Sequence, residues 1–317
     1  MLKMLSKVFL IFISKILLIE IFFLKKNFTY CKTGGFGDFI FFCLNLKKNP
    51  KKKIYCYSKL QYNIANFFFD KKNIKKSFFT FLPLLEKTNL ASDYLSKSII
   101  FKPEKINNFD NSIKPTKQNI KYIKNQIKKE DVSEKLKIFC QKKFFVLFIK
   151  HYHTNTRKIT PSIRQSSNMK KNFQIINFLA KKKINLLILG NSNDKFTNYS
   201  KLKYKNTKNI YFFEELSQEF SLNDQAFVAL NSDGYIGSAS GASILYYLLK
   251  KKIIHFDTYF QNTDIHAKNI IWLYKKIKTP NGNKELTYNF LKKNNNQYLN
   301  LIENNFKEIK KKINLLF

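Results

Sequence analysis

Short apolar runs recur along this chain, and most are followed by a stretch with helical periodicity. In the first half the runs are residues 28–32, 54–58, 77–81 and 99–101. In the second half they are 144–150, 184–190, 209–213, 234–237 and 253–256. Helical stretches are read at 38–46, 61–69, 131–142, 169–182, 222–230 and 242–250. The runs are continuous rather than alternating, as parallel strands covered on both faces require. The alternation predicts an α/β fold of two Rossmann-like domains facing across a cleft. A Lys/Asn-rich stretch at 103–130, with Pro103 and Pro115, reads as the linker. The expected divisions are a hydrophobic segment at 1–26, α/β domains at 27–130 and 131–290, and a closing helical segment at 291–317. The closing helix itself is read at 296–315, and such a helix can cross back to the first domain.

The glycines sharpen this picture. Six of the eight sit at two strand-to-helix junctions, one in each half. Gly34, Gly35 and Gly37 form the first, and Gly234, Gly237 and Gly241 surround the second. Glycine permits positive φ and lets backbone approach a ligand. A helix start just beyond offers free N–H groups to an anion. The first cluster lacks the third glycine of a dinucleotide fingerprint, because Ile40 stands there. The second, residues 237–243, has Ala239 where a hydrolase nucleophile would be. Ser238, Ser240 and Ser243 there suit a diphosphate. Tight turns alone would also account for either cluster.

The formal net charge is +37, from 58 basic and 21 acidic residues. Such an excess suits nucleic acid or an anionic membrane. However, Arg157 and Arg164 are the only arginines, and Lys, Asn, Ile and Phe are inflated together. That pattern is expected of an A+T-rich coding sequence, and specific nucleic-acid readers lean on arginine. No specific nucleic-acid partner is therefore expected. Residues 8–24 are apolar apart from Ser14, Lys15 and Glu20, with lysines on both flanks. The segment is expected to form a helix that associates with an anionic membrane surface. It could span the bilayer, lie in its interface, or pack on the globular body. Cys31, Cys43, Cys56 and Cys140 have no metal-site spacing and read as reduced thiols.

The stretch after the strand at 144–150 is the most polar of the chain: Lys150, His151, Tyr152, His153, Thr154, Asn155, Thr156, Arg157. Arg164 follows. Two arginines in a lysine-using chain point to a fork-shaped donor for phosphate or carboxylate. His151 and His153 lack a nearby acidic or cysteine partner, so no metal site is expected. No D-x-D motif occurs to chelate a metal-bound sugar nucleotide.

From about residue 144 to 257 the chain resembles bacterial glycosyltransferases of the two-domain GT-B architecture. The features that carry this are the strand at 145–150, the run Arg164-Gln165-Ser166-Ser167-Asn168 leading into a helix with Phe173, and the strand at 186–190. The junction Tyr235-Ile236-Gly237-Ser238-Ala239-Ser240-Gly241 and the tail Gly282-Asn283-Lys284-Glu285-Leu286-Thr287 extend the likeness. The run Gly34-Gly35-Phe36-Gly37-Asp38 looks like the acceptor-side glycine loop of such enzymes, heptosyltransferases among them. Two positions depart from the family, which commonly has arginine where Lys150 and Ile188 stand. The resemblance implies metal-independent transfer, without a cofactor, from a nucleotide-sugar to a glycan or lipid-linked acceptor at the cytoplasmic membrane face. Asp38 would be the base, with His151 as the other candidate; a helix cap is the plainer role for Asp38. The donor would meet Lys150, Arg157, Arg164 and Gly190 on one side. Ser238, Ser240, Gly241 and Ser243 would hold its diphosphate. Two other readings stay open: a non-catalytic basic membrane protein that binds polyanions, and a degenerate glycosyltransferase.

Overall fold

The computed structural model describes residues 28–29, 36–46, 53–56, 58–76, 115–150, 166, 168–190, 194–217, 221–260, 267–287, 289–290 and 301–317. The hydrophobic segment at 1–26 and the expected strands at 77–81 and 99–101 lie outside them. The chain divides into two units, Met1–Lys114 and Pro115–Phe317.

In the first unit, β1 (Phe28–Thr29), β2 (Lys53–Cys56) and β3 (Ile74–Lys76) form a parallel sheet in the order β1-β2-β3. Helices α1 (Phe36–Leu46) and α2 (Lys59–Phe68) alternate with them. Gly37 falls inside the first turn of α1 rather than in the preceding loop. Ser58, read as the end of a strand, instead caps α2, its hydroxyl accepting from the Gln61 N–H at 3.1 Å. A serine oxygen there satisfies one of the donors that a helix start leaves over.

The second unit is built on six parallel strands: β4 (Phe144–Phe148), β5 (Asn185–Ile188), β6 (Ile210–Phe212), β7 (Gly234–Gly237), β8 (Lys252–Thr258) and β9 (Ile270–Tyr274). Their order in the sheet is β6-β5-β4-β7-β8-β9. Side-chain alternation assigns one face to Phe145, Leu147, Leu186, Ile188, Phe212, Ile236, Ile254 and Phe256. These pack with α5 (Met169–Lys181), α6 (Lys195–Tyr204) and α10 (Phe306–Ile313). The other face presents Phe144 and Tyr211 to Phe139 of α4 (Glu134–Phe139), with ring centroids 4.7 and 4.6 Å apart. The short α7 (Phe213–Leu216) follows β6, and on the same side as Phe139, Tyr235 meets Tyr246 of α9 (Ser243–Leu248), beside α8 (Leu222–Asn231). Covering both faces is what makes the strand sequences continuously apolar.

Several expectations need correction. The stretch read as a linker contains α3 (Lys117–Gln126), capped by Thr116. It is followed by Lys128, whose N–H and carbonyl both bond Asn223 of α8, each at 2.9 Å. Its weak apolar pattern hid it, because only Ile123 within the helix is buried. Helix α6 was unread for the same reason, since lysines and polar residues dilute its period. The closing helix starts ten residues later than expected, at Phe306, where Asn305 and Glu308 form a capping box. It stays in the second unit, inserting Ile309 and Ile313 beside α5. Before it, β10 (Lys276–Thr279), β11 (Gly282–Glu285) and β12 (Leu301–Ile302) form a small antiparallel sheet absent from the sequence reading. Cys43, Cys56 and Cys140 are buried and form no disulfide among the described residues. Among the described residues, no helix is long and apolar enough to cross a membrane.

Candidate functional site

The six-stranded sheet reverses direction between β4 and β7. From β4 the chain winds outward through β5 and β6, and from β7 it winds the other way through β8 and β9. Crossovers therefore diverge at this point, and the carboxyl ends of β4 and β7 form the switch point at which parallel sheets of this kind commonly place a ligand crevice. The residues that follow these two ends are Ile149 and Lys150 on one side and Ser238 to Ser243 on the other.

Gly237 closes β7 with φ +148°, and a Cβ added there would lie 1.9 Å from the Phe148 carbonyl oxygen. Any side chain would force the two strand ends apart. With glycine, the Ser238 N–H donates to that same oxygen at 2.8 Å. The Lys150 N–H in turn donates to the Ser238 hydroxyl at 3.0 Å. The Tyr235 hydroxyl donates to the Ser238 carbonyl at 2.8 Å and lies 3.3 Å from the Ser240 hydroxyl. Burial pushes the Tyr235 phenol well up, with the Ser240 contact opposing it, so this phenol stays a proton donor.

The turn then tightens into α9. Both the N–H and the hydroxyl of Ser243 donate to the Ser240 carbonyl, at 3.1 and 2.7 Å. The Ile244 and Leu245 N–H groups donate to Gly241 and Ala242. The first N–H groups of α9 are thus occupied, and the helix has only six residues. Ala239, Ser240, Gly241 and Ala242 are half-buried, and no acceptor among the described residues takes their N–H groups. An anion would therefore be met by this small-residue turn one step ahead of the helix.

Gly190, at the end of β5, has a packing explanation. A Cβ there would stand 2.1 Å from the Thr197 hydroxyl, which bonds the Asp194 carboxylate capping α6. Lys150 is half-buried, and its carbonyl accepts the Ser166 N–H at 2.8 Å. His151, Arg157, Arg164, Gly34 and Gly35 lie outside the described residues. The backbone of Asp38 runs in α1.

Sequence reading missed a buried charge network on the same edge of the sheet. The Lys171 ammonium, in the first turn of α5, lies 2.5 Å from Asp257 and 2.8 Å from Glu303. Lys275 lies 3.7 Å from Glu303. Asp257 ends the regular part of β8 with φ +56° and exchanges hydrogen bonds with Asn304 through its backbone N–H and its carboxylate. Burial pushes the Asp257 carboxyl up against the pull of Lys171, and burial pushes the Lys275 ammonium down. Ser166 bridges this group to the β4 end, donating to Asn172 at 3.0 Å and lying 3.4 Å from Glu303. Two cations and two anions cancel, so the network adds no net charge to this edge. Lys171 is separated from its partners by 86 and 132 residues, so no sequence spacing announces the pairing. Among the described residues, no three metal-ligating side chains gather.

No family model matches this sequence, and no curated protein matches it. Among solved structures, it is similar to the Escherichia coli ADP-heptose LPS heptosyltransferase II. The identity is 10%, over 81% of this chain and 92% of that one, with a TM-score of 0.45. Similarity extends to the Escherichia coli heptosyltransferase WaaC with ADP, at 12% identity over 85% and 98% of the two chains and a TM-score of 0.43. A family 9 glycosyl transferase from Veillonella parvula matches at 11% identity over 78% and 86%, also with a TM-score of 0.43.

Proposed function

We propose that the protein is a metal-independent glycosyltransferase of GT-B type whose second unit binds a nucleotide-sugar donor. The observation that carries this reading is the half-buried Ala239–Ala242 turn, whose N–H groups meet no acceptor among the described residues, at the switch point of a β6-β5-β4-β7-β8-β9 sheet. An anionic group placed there meets oriented backbone donors and no bulky side chain. Ser240 adds a hydroxyl to this turn. Ser238 and Ser243 shape it, since one bonds Lys150 and the other holds the Ser240 carbonyl. The adjoining charge network is neutral, and we assign the positive charge for a departing diphosphate to Lys150, Arg157 and Arg164. Asp38 is the proposed base for the acceptor hydroxyl, with His151 as the other candidate. The acceptor is a glycan or lipid-linked glycan of the cell envelope, reached from the cytoplasmic face of the membrane. Residues 1–26 contribute a membrane contact.

The test begins with a thermal-shift panel of nucleotide-sugars and nucleoside diphosphates, since a ligand raises stability by RT ln(1 + [L]/Kd). A hit is then titrated into the folded Gly241→Val variant. Crowding the turn should weaken affinity by at least ~10-fold, about 1.4 kcal/mol. Unchanged affinity would remove this turn from the donor site, and a flat panel would defeat the nucleotide-binding reading. A second reading, a nucleotide-binding protein that no longer turns over, is favoured by the commitment of the Ser238 and Ser243 hydroxyls to structure. Binding without donor hydrolysis or transfer would distinguish it.

A further inference from the structure

The two helix layers over the six-stranded sheet differ in charge. The layer of α6, α5 and α10 contains three lysines in α5, three in α6 and four in α10, against the single acid Glu308. Glu308 is bonded to Lys276 at 2.7 Å. The opposite helices α3, α4, α8 and α9 carry five lysines and the acids Glu134 and Asp224. Glu130, Asp131 and Asp233 stand exposed in the loops beside them. A coding bias toward lysine explains the number of lysines. It does not explain their placement: Asp194 caps α6 and the exposed Glu215 pairs with Lys201, yet eight of this layer's ten helical lysines form no ion pair among the described residues, against four on the opposite helices.

The same layer displays apolar groups. Leu202 is 73% exposed and Tyr199 49% exposed, both on α6, and Leu315 just after α10 is 65% exposed. Lysine ammoniums stand over its rings: Lys203 lies 4.4 Å from the Phe173 centroid, and Lys182 and Lys310 each lie 5.3 Å from Phe178. None of Lys170, Lys181, Lys195, Lys203, Lys307 or Lys310 forms an ion pair among the described residues. Lysines interleaved with exposed apolar side chains are the composition of a surface that lies on an anionic bilayer. The ammoniums meet headgroups, and Leu and Tyr enter the boundary region.

We propose that the outer face of α5, α6 and α10 docks on an anionic lipid surface. The sheet stands behind this face as a rigid backing, through the core shared by Ile175, Ile176, Phe196 and Ile309. This attachment is separate from residues 1–26 and does not depend on the transferase reading.

The experiment uses the full chain and vesicles of phosphatidylcholine with or without phosphatidylglycerol. The quantity read is the ratio of partition into anionic over neutral vesicles, which cancels any charge-independent anchoring. One variant combines Lys195→Glu, Lys203→Glu and Lys310→Glu. The control combines Lys117→Glu, Lys121→Glu and Lys135→Glu, which makes the same net-charge change on the opposite layer. Thermal unfolding checks that both stay folded. The first variant should lower the ratio by at least ~10-fold and the control by no more than about 3-fold, with the preference fading at high salt. Equal losses in both would overturn the proposal, because the effect would then be net charge alone. An unchanged vesicle ratio with lost binding to a single-stranded oligonucleotide would also overturn it, assigning the layer to nucleic acid.

Discussion

The carboxyl edge of the six-stranded sheet and the outer layer of α5, α6 and α10 use the same residue, lysine, in opposite ways. At the edge, Lys171 is 4% exposed and sits between two carboxylates. On the layer, Lys203 is exposed and stands over an aromatic ring. A buried ammonium must be compensated, because removing its partner leaves an uncompensated charge in a poorly polarisable interior. An exposed one keeps its hydration, so its location is free to serve a partner. The count of lysines therefore says little, and where the acids stand says much.

Replacing the two lysines in the same way tests this contrast. Lys171→Met should remove the ammonium held against the buried Asp257 carboxylate and cost about 3–5 kcal/mol in urea unfolding. Lys203→Met should cost at most about 1 kcal/mol, the worth of an exposed cation–π contact. Similar losses at the two positions would break the comparison.

Two glycines sharpen it at the level of backbone. Gly237 is hemmed by the Phe148 carbonyl at a φ that L-residues rarely adopt, so Gly237→Ala should cost at least about 2 kcal/mol with no neighbour able to relieve it. At Gly190 the obstacle is a side chain, Thr197. Gly190→Ala should also destabilise, but adding Thr197→Ala should recover most of the loss. A double variant no better than the single would show that the backbone is the obstacle there too.

The smallest effect is expected from pH. The Lys276 ammonium beside Glu308 holds its carboxyl below the usual range, with burial opposing. A depressed carboxyl contributes stability above its unfolded pKa of about 4.3, and loses it as pH falls through the folded value. Both groups are about a third exposed, so the contribution should stay under ~1 kcal/mol. Acid titration of Glu308→Gln should lack this step. An identical acid limb in the variant would show that the pair is fully screened.

The sequence carried most of the central sheet. The run 234–237 coincides with β7, and the helix read at 169–182 differs from α5 by one residue. These elements are buried on defined faces, so their apolar period is strong. Helices α3 and α6 escaped because few of their residues reach the core and lysine dilutes the rest. At the candidate site, the Gly/Ser/Ala turn was legible, whereas its detailed use was not. The expected free donors of α9 are occupied by the turn itself, because the first turn tightens to bonds three residues apart.

By itself, then, the sequence determined the strongly periodic strands and helices of the central sheet, where glycine must stand and where small residues crowd a turn. These depend on side-chain period, caps and backbone sterics, which act over a few residues. Only the tertiary structure decided the strand order that brings the ends of β4 and β7 together. It alone paired Lys171 with Asp257 and Glu303, and it alone gathered the lysines of α5, α6 and α10 on one layer. Those outcomes depend on which distant groups lose water together, and that is settled only when the sheet and its helices close around them.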